Sequence, residues 1–349
     1  MIYLNRAFKR INGLALHMPY PPCSVTVKYL LSAQHLGSPR PKLHLIWGNS
    51  RIAKIEQVIC RALNIPVLYC NEMPVGLTCK PSEHRIDAVV TDPHHSHMDC
   101  RSYSLLEGLI HFTKTDNDDN ESGRYLMSQI YNYDLAMSGT TYIPPHLIDV
   151  IGKEPVKVLV IDQSRKDETL VIGNATRKSF PEMIKTALNL NPNGMVFVKA
   201  SKNKESILCD LINHKRIKIY NSIQLFKLFE HVVVSTSFHC FEALICKCTV
   251  HCFGVPFYAH WGLTTGYCIS ESAMSRRLKG YCQYQTYPIT KKLEHICHCL
   301  LDKYTKYSCN NGSKLVFAAE YFDFLISQKT KGRPHVGDHC NIDYLILRA

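Results

Sequence analysis

The chain has 349 residues, enough for two domains of ordinary size, and at 46% hydrophobic and 20% charged it is not a disordered chain. Its formal net charge of +12 favours anionic partners: a nucleotide, an acidic sugar or an anionic membrane face. No basic stretch interleaved with aromatics stands out, so no nucleic-acid partner is expected.

The sixteen cysteines do not read as a disulfide framework. The N-terminal stretch lacks the apolar core of a signal peptide, and a chain this long needs no staples. Free thiols in a reducing cytosol are expected. No run approaches the roughly 20 apolar residues of a membrane span, so the protein is expected to be cytoplasmic, with peripheral attachment to the inner membrane open.

In chain order, "LHLIWG" (43–48) reads as a buried strand and "SRIAKIEQVICRALN" (50–64) as a helix. "IPVLYC" (65–70) and "IDAVVTD" (86–92) read as strands, and 100–112 as a helix. After the polar "TDNDDNESG" (115–123) another helix runs to about Ala136, and 140–155, with three prolines, reads as a linker. The pattern then restarts. "VKVLVID" (156–162), "GMVFVKA" (194–200), "IKIY" (217–220), "HVVVST" (231–236) and "TVHCFG" (249–254) read as strands. Helices are expected at 179–191, with Ser179 as cap, and at 222–230, 237–247, 290–306 and 314–328. Strand–helix alternation in two halves argues for α/β architecture with two parallel-sheet domains, bounded at 1–145 and 146–349.

Four stretches carry candidate chemistry. In "VLVIDQSRKDETL" (158–170), Asp162 and Asp167 follow the first strand of the second half, where such folds place ligand groups. A carboxylate there serves as base, nucleophile or hydroxyl acceptor, or else Asp162 shapes a turn and Asp167 is merely solvated. In "VSTSFHCFEAL" (234–244) a hydroxyl-rich turn leads into a helix. Thr236 and Ser237 suit a phosphate and Glu242 a ribose, while plain capping by Ser237 is the alternative. "FGVPFYAHWGLTTG" (253–266) is an aromatic loop that either packs beside a ligand or plugs the space between domains. "DPHHSHMDC" (92–100) is rich in metal-ligating types, but its spacing fits neither His-x-x-x-His nor Cys-x-x-Cys, so no metal is expected. The cysteines of "LEHICHCLLDKY" (293–304) fall among Leu293, Ile296 and Leu300 at helical spacing and are expected to pack.

"VLVIDQSRKDETLVIGNA", "TSFHCFEALICKCTVHCFG" and "PFYAHWGLTTG", in this order, resemble the bacterial capsule-polysaccharide proteins of the KpsC/LipA type, which are retaining β-Kdo glycosyltransferases using CMP-Kdo. The resemblance covers roughly 40–325 and is strongest from 156 on. It implies a GT-B-like fold of two Rossmann-like domains, acceptor side first and nucleotide-sugar side second, with a cleft between. It implies a CMP-activated acidic sugar as donor substrate, no separate cofactor, and a glycan or lipid-linked saccharide as acceptor. Asp167 becomes the nucleophile, with Asp162 and Glu72 as further acidic groups of the catalytic set. Thr236, Ser237, Glu242 and Gln163 fall on the nucleotide side, and Asp99, Tyr258, Trp261 and Arg165 beside the sugar and cleft.

Two departures from the family pattern stand out. Where the family has a His-Pro pair this chain has Ser201-Lys202, expected at the nucleotide phosphate, and a Glu-Asp-Gly-Phe segment is reduced to "NEMPVG" (71–76), which keeps Glu72. Because of them, two alternatives stay open: a non-catalytic binding or scaffold subunit of capsule assembly, and an enzyme using another nucleotide sugar.

Overall fold

The computed structural model describes residues 2–4, 22–24, 43–73, 88–114, 117–133, 135, 145–176, 178–201, 206–208, 214–220, 226–238, 240–267, 290–309 and 314–331. Its strands are β1 (Ile2–Leu4), β2 (Pro22–Ser24), β3 (Leu43–Trp47), β4 (Val67–Glu72), β5 (Ala88–Asp92), β6 (Val158–Ile161), β7 (Val196–Lys199), β8 (Ile217–Tyr220), β9 (His231–Val234), β10 (Thr249–Cys252), β11 (Thr264–Gly266), β12 (Thr305–Cys309) and β13 (Lys314–Val316). They form two sheets, ordered β13-β12-β5-β4-β3-β1-β2 and β11-β10-β9-β6-β7-β8.

The second sheet is parallel throughout. Its central strands explain why: Val158, Leu159 and Val160 of β6 and Val232, Val233 and Val234 of β9 are fully buried. Continuous apolar runs belong to strands covered on both faces, and each such side chain contributes roughly 1.5–3 kcal/mol by burial. Among the helices, α1 (Arg51–Ala62), α2 (Leu105–Phe112), α3 (Asn117–Tyr133) and α4 (Pro145–Gly152) belong to the first half of the chain and its junction. They are followed by α5 (Glu168–Ile172), α6 (Ser179–Leu190), α7 (Cys240–Ile245), α8 (Leu293–Cys297) and α9 (Ala318–Lys331).

The α/β class and the two-sheet division are as expected, with several corrections. The first sheet is mixed, because β5 runs antiparallel to β4, and β12 antiparallel to β5. The chain therefore returns to the first sheet after residue 304: β12 and β13 add to its edge, and the expected 146–349 domain gives up its last strands to the first half. The 140–155 "linker" contains α4, which opens on Pro145, a residue suited to the first helical position. The helix expected from residue 100 begins only at 105, because Ser104 and Glu107 form a reciprocal capping box. Ser179 is the first helical residue of α6 and not its cap. Beyond α8 the helical stretch continues as a π-helical turn, His298–Tyr304, and the region expected as helix 314–328 starts with β13.

Cys297 and Cys299 are fully buried packing residues, and burial pushes the Cys297 thiol well above its ordinary value. No helix among the described residues is long and apolar enough to cross a membrane.

Candidate functional site

The site forms where β6, β7 and β9 end side by side. Asp162, directly after β6, is buried and acts as an acceptor hub. Its Oδ1 accepts from the backbone N–H groups of Gln163 (2.9 Å), Leu208 (3.2 Å) and Ile207 (3.3 Å). Its Oδ2 accepts from the backbone N–H of Ser201 (3.1 Å) and the hydroxyl of Ser206. Every oxygen is thus committed to holding the 201 and 206–208 loop against β6. Among the candidates for the catalytic set, Asp162 is a turn-former with no lone pair left for substrate. Ser201 meets this hub through its backbone, whereas Lys202 lies outside the described residues. Arg165 is exposed and donates to the Ser206 carbonyl at 3.2 Å.

Asp167 sits one loop further on and caps α5. Its Oδ1 accepts from the backbone N–H (2.9 Å) and hydroxyl (2.6 Å) of Thr169, and its Oδ2 accepts from the Gln163 amide at 3.0 Å. The same Gln163 nitrogen faces the hydroxyls of Thr236 (3.0 Å) and Thr169 (3.2 Å), while its oxygen accepts from the Thr236 backbone N–H at 2.8 Å. Gln163 therefore ties the end of β6 to the end of β9. The sequence reading put Gln163 and Thr236 on the nucleotide, but their polar atoms are engaged with each other.

The Thr236 methyl is locked from the other side. A Cβ on Gly173 would approach it to 2.5 Å and one on Gly254 to 2.4 Å, so both positions need glycine for close approach. The Val255 N–H donates to the Gly173 carbonyl at 2.8 Å and closes this contact.

Ser237 and Glu242, in the turn and in α7, are buried at the same sheet end. Tyr258 donates its hydroxyl to the Ser237 carbonyl at 2.6 Å, and Trp261 its indole N–H to the Phe257 carbonyl at 2.8 Å. Both side chains are buried, and burial raises the Tyr258 hydroxyl well above its ordinary pKa. The sugar-facing role expected for Tyr258 and Trp261 gives way to the plug reading: the aromatic loop fills space and buttresses the serine turn. Sequence reasoning missed Lys199, the last residue of β7. Burial pulls its ammonium down to about 8, partly offset by Cys240 and Glu242. The only sequence signal was a lysine closing the apolar run "VFVK".

The first half reaches this region through the loop after β5. Asp92 holds that loop, accepting from the backbone of His94 (2.8 Å), His95 (3.0 Å) and Leu105 (2.7 Å), and from the Tyr304 hydroxyl (3.0 Å). His97 is buried edge-on against Phe238, Phe257 and Tyr304. The Cys100 N–H donates to the Ile172 carbonyl of α5 at 2.9 Å. This histidine-rich stretch is thus one contact between the halves, and among the described residues no group of three or more His, Cys, Asp or Glu is arranged to hold a metal. Asp99, expected in the cleft, is buried in a bidentate pair with Arg101 (2.8 and 2.6 Å). Glu72 ends β4 opposite Val89 in the first sheet.

Residues 146–287 match the family described as "Capsule polysaccharide biosynthesis protein". The capsule polysaccharide modification protein LipA of Neisseria meningitidis serogroup B is 34% identical over 120 residues, 32% of this chain and 17% of LipA. The lipopolysaccharide-processing protein LpsZ of Rhizobium meliloti is 30% identical over 240 residues, 64% of this chain and 53% of LpsZ. The chain thus spans about a sixth of LipA and about half of LpsZ. Two solved structures share the fold. Thermosulfurimonas dismutans KpsC, beta Kdo 2,4 transferase, has a TM-score of 0.76 at 20% identity over 93% of this chain and 97% of that one. The beta Kdo 2,7 transferase of the same organism's KpsC has a TM-score of 0.64 at 19% identity over 94% and 98%. The arrangement is GT-B-like, as in the two KpsC structures, and residues 146–287 are similar to the capsule polysaccharide biosynthesis proteins.

Proposed function

We propose that this protein is a retaining glycosyltransferase that moves Kdo, or a related acidic sugar, from a CMP-sugar to a glycan or glycolipid acceptor in capsule or surface polysaccharide assembly. The observation that carries this reading is Asp167, a carboxylate at the carboxyl end of β6, oriented by Gln163 and Thr169 beside the serine turn that follows β9. In the reaction the Asp167 carboxylate attacks the anomeric carbon and the bond to the CMP phosphate breaks. An acceptor hydroxyl then displaces the carboxylate and gives up its proton to solvent, and the two inversions retain the configuration. CMP leaves as an anion, so Ser237 and the cation of Lys199 are the groups that assist its departure. Kdo brings its own carboxylate, and Arg165 and Lys166 offset its repulsion from Asp167.

Incubating the pure protein with CMP-Kdo and a synthetic or lipid-linked glycan tests this directly. Product, together with a glycosyl adduct on Asp167 by intact-mass analysis, is expected; neither with any CMP-sugar sinks the proposal. Ser237→Ala is expected to weaken CMP by about 1 kcal/mol in calorimetry, the loss of one hydrogen bond to phosphate. The +12 net charge supports salt-sensitive attachment to the inner-membrane face, read by flotation with anionic vesicles at low and high salt.

A second reading, a non-catalytic binding or scaffold subunit, is favoured by one observation: Asp167 is also the cap of α5, a purely structural use of the same carboxylate. CMP binding without turnover would support it.

A further inference from the structure

Counting hydrogens around Asp167 assigns work to residues that the sequence placed on the nucleotide. The Gln163 amide has two N–H hydrogens, and three acceptors lie near it: Asp167 Oδ2 at 3.0 Å, Thr236 Oγ1 at 3.0 Å and Thr169 Oγ1 at 3.2 Å. The Thr169 hydroxyl spends its hydrogen on Asp167 Oδ1 at 2.6 Å, so it is full as a donor. The two shorter amide contacts then go to Asp167 and Thr236. The amide oxygen is in turn held by the Thr236 backbone N–H at 2.8 Å, which fixes the plane of the amide.

Thr236 is the abutment. It is buried, with its methyl against Gly173 and Gly254 and its hydroxyl towards Gln163 and, at 3.2 Å, Thr169. Its backbone N–H and hydroxyl are both turned into the protein. A phosphate on the outside of the turn meets neither.

We propose that Gln163, Thr169 and Thr236 form a positioning cluster that orients the Asp167 carboxylate, and that Thr236 serves this cluster and does not bind the donor phosphate. The inference rests on the glycosyl-transfer reading of Asp167 and names which residues set its reactive geometry. A carboxylate held by fixed donors reacts from one orientation, whereas a freely rotating one must first find it. Gln163 and Thr169 act by holding the two oxygens of the Asp167 carboxylate and Thr236 by holding Gln163, so all three work on the substrate through Asp167 and are positioning residues.

The test uses the full chain and four variants. Gln163→Met and Thr169→Val remove donors while keeping shape, Thr169→Ser restores the hydroxyl, and Thr236→Val keeps the branched packing against the glycines. Gln163→Met and Thr169→Val are expected to lower kcat at least about tenfold with KM for the CMP-sugar within about twofold, and Thr169→Ser to recover most of the loss. Thr236→Val is expected to leave CMP affinity, by calorimetry, within about twofold, because no phosphate contact is lost. Full kcat in Gln163→Met, or CMP binding weakened about tenfold or more in Thr236→Val, overturns the inference while leaving glycosyl transfer standing.

Crystal structures of the wild type and Gln163→Met read the positioning apart from turnover. The Asp167 carboxylate is expected to rotate off its present place in the variant. If it keeps that place, the inference fails even should the wild type transfer nothing; a wild type without transfer sinks the glycosyltransferase reading on its own account.

Discussion

Two aspartates five residues apart hold opposite positions in the same loop. Asp162 is consumed by five donors, four of them backbone N–H groups, and is buried. Removing it strands those donors, so Asp162→Ala is expected to cost about 3 kcal/mol or more of stability, measured by denaturant unfolding. Asp167 is half-buried and caps α5. Asparagine caps as well as aspartate, so Asp167→Asn is expected to leave the unfolding midpoint nearly unchanged. It removes the attacking charge, and transfer is expected to fall by about three orders of magnitude or more. Near-normal transfer in Asp167→Asn would remove the double displacement from consideration.

At the scale of elements, the ends of β6 and β9 are joined by a side-chain bridge and not by a shared turn. The bridge works because two glycines from separate segments, Gly173 after α5 and Gly254 after β10, press on the Thr236 methyl. Gly254→Ala places a methyl 2.4 Å from that group, and the backbone carbonyls of Gly173 (3.0 Å) and Ser235 (3.1 Å) leave little room to shift. The expected cost is about 1–3 kcal/mol. Adding Thr236→Ser removes the opposing methyl, so the double variant is expected to regain part of the stability lost by Gly254→Ala. Strictly additive losses in the two thermal unfolding series would show that the contact is not as drawn.

At the scale of the molecule, the halves are joined by the loop after β5 and by the return of the chain into β12. The second sheet also carries a histidine pair, His251 buried and His231 half-buried. His231 Nδ1 lies 3.1 Å from His251 Nε2, and His251 Nδ1 lies 3.2 Å from the Tyr267 hydroxyl. Burial, then the neighbouring His231, pull the His251 imidazole down to about 4, and burial does the same to His260. A folded-state pKa below the unfolded one means the unfolded chain binds the proton first. Stability is therefore complete above about pH 6.5 and is lost as pH falls from there towards 4. For His251 the loss amounts to about 3 kcal/mol at most. Thermal melts from pH 7 to 4 are expected to fall steeply in the wild type and less steeply in His251→Gln. Equal slopes would remove His251 as the source.

The α/β class, the positions of the eight strands from β3 to β10 and the gathering of "DQSRKD", "STSF" and the aromatic loop in one half were legible in the sequence, whereas β12 begins and β13 lies in stretches expected to be helix. Buried central strands are written as unbroken apolar runs, and ligand groups follow strand ends in such folds. The capping box of Ser104 with Glu107 was a local signal that the reading of a helix from residue 100 passed over. What each polar group faces was not legible. Asp99 and Asp162 look as available as Asp167 in one dimension, yet one is paired with Arg101 and the other is surrounded by loop amides. Thr236 turns inward because glycines distant in sequence press its methyl and Gln163 takes its hydroxyl. Tyr258 and Trp261 are spent on carbonyls of the loop and turn that they buttress. Strand direction was equally hidden. The run "AVVTD" fits a parallel or an antiparallel ladder alike, and only its pairing with β4 and with the distant β12 made it antiparallel. Periodicity records burial, a property of one segment; partners, directions and hydrogen-bond assignments belong to pairs of segments, and the tertiary structure alone decides those.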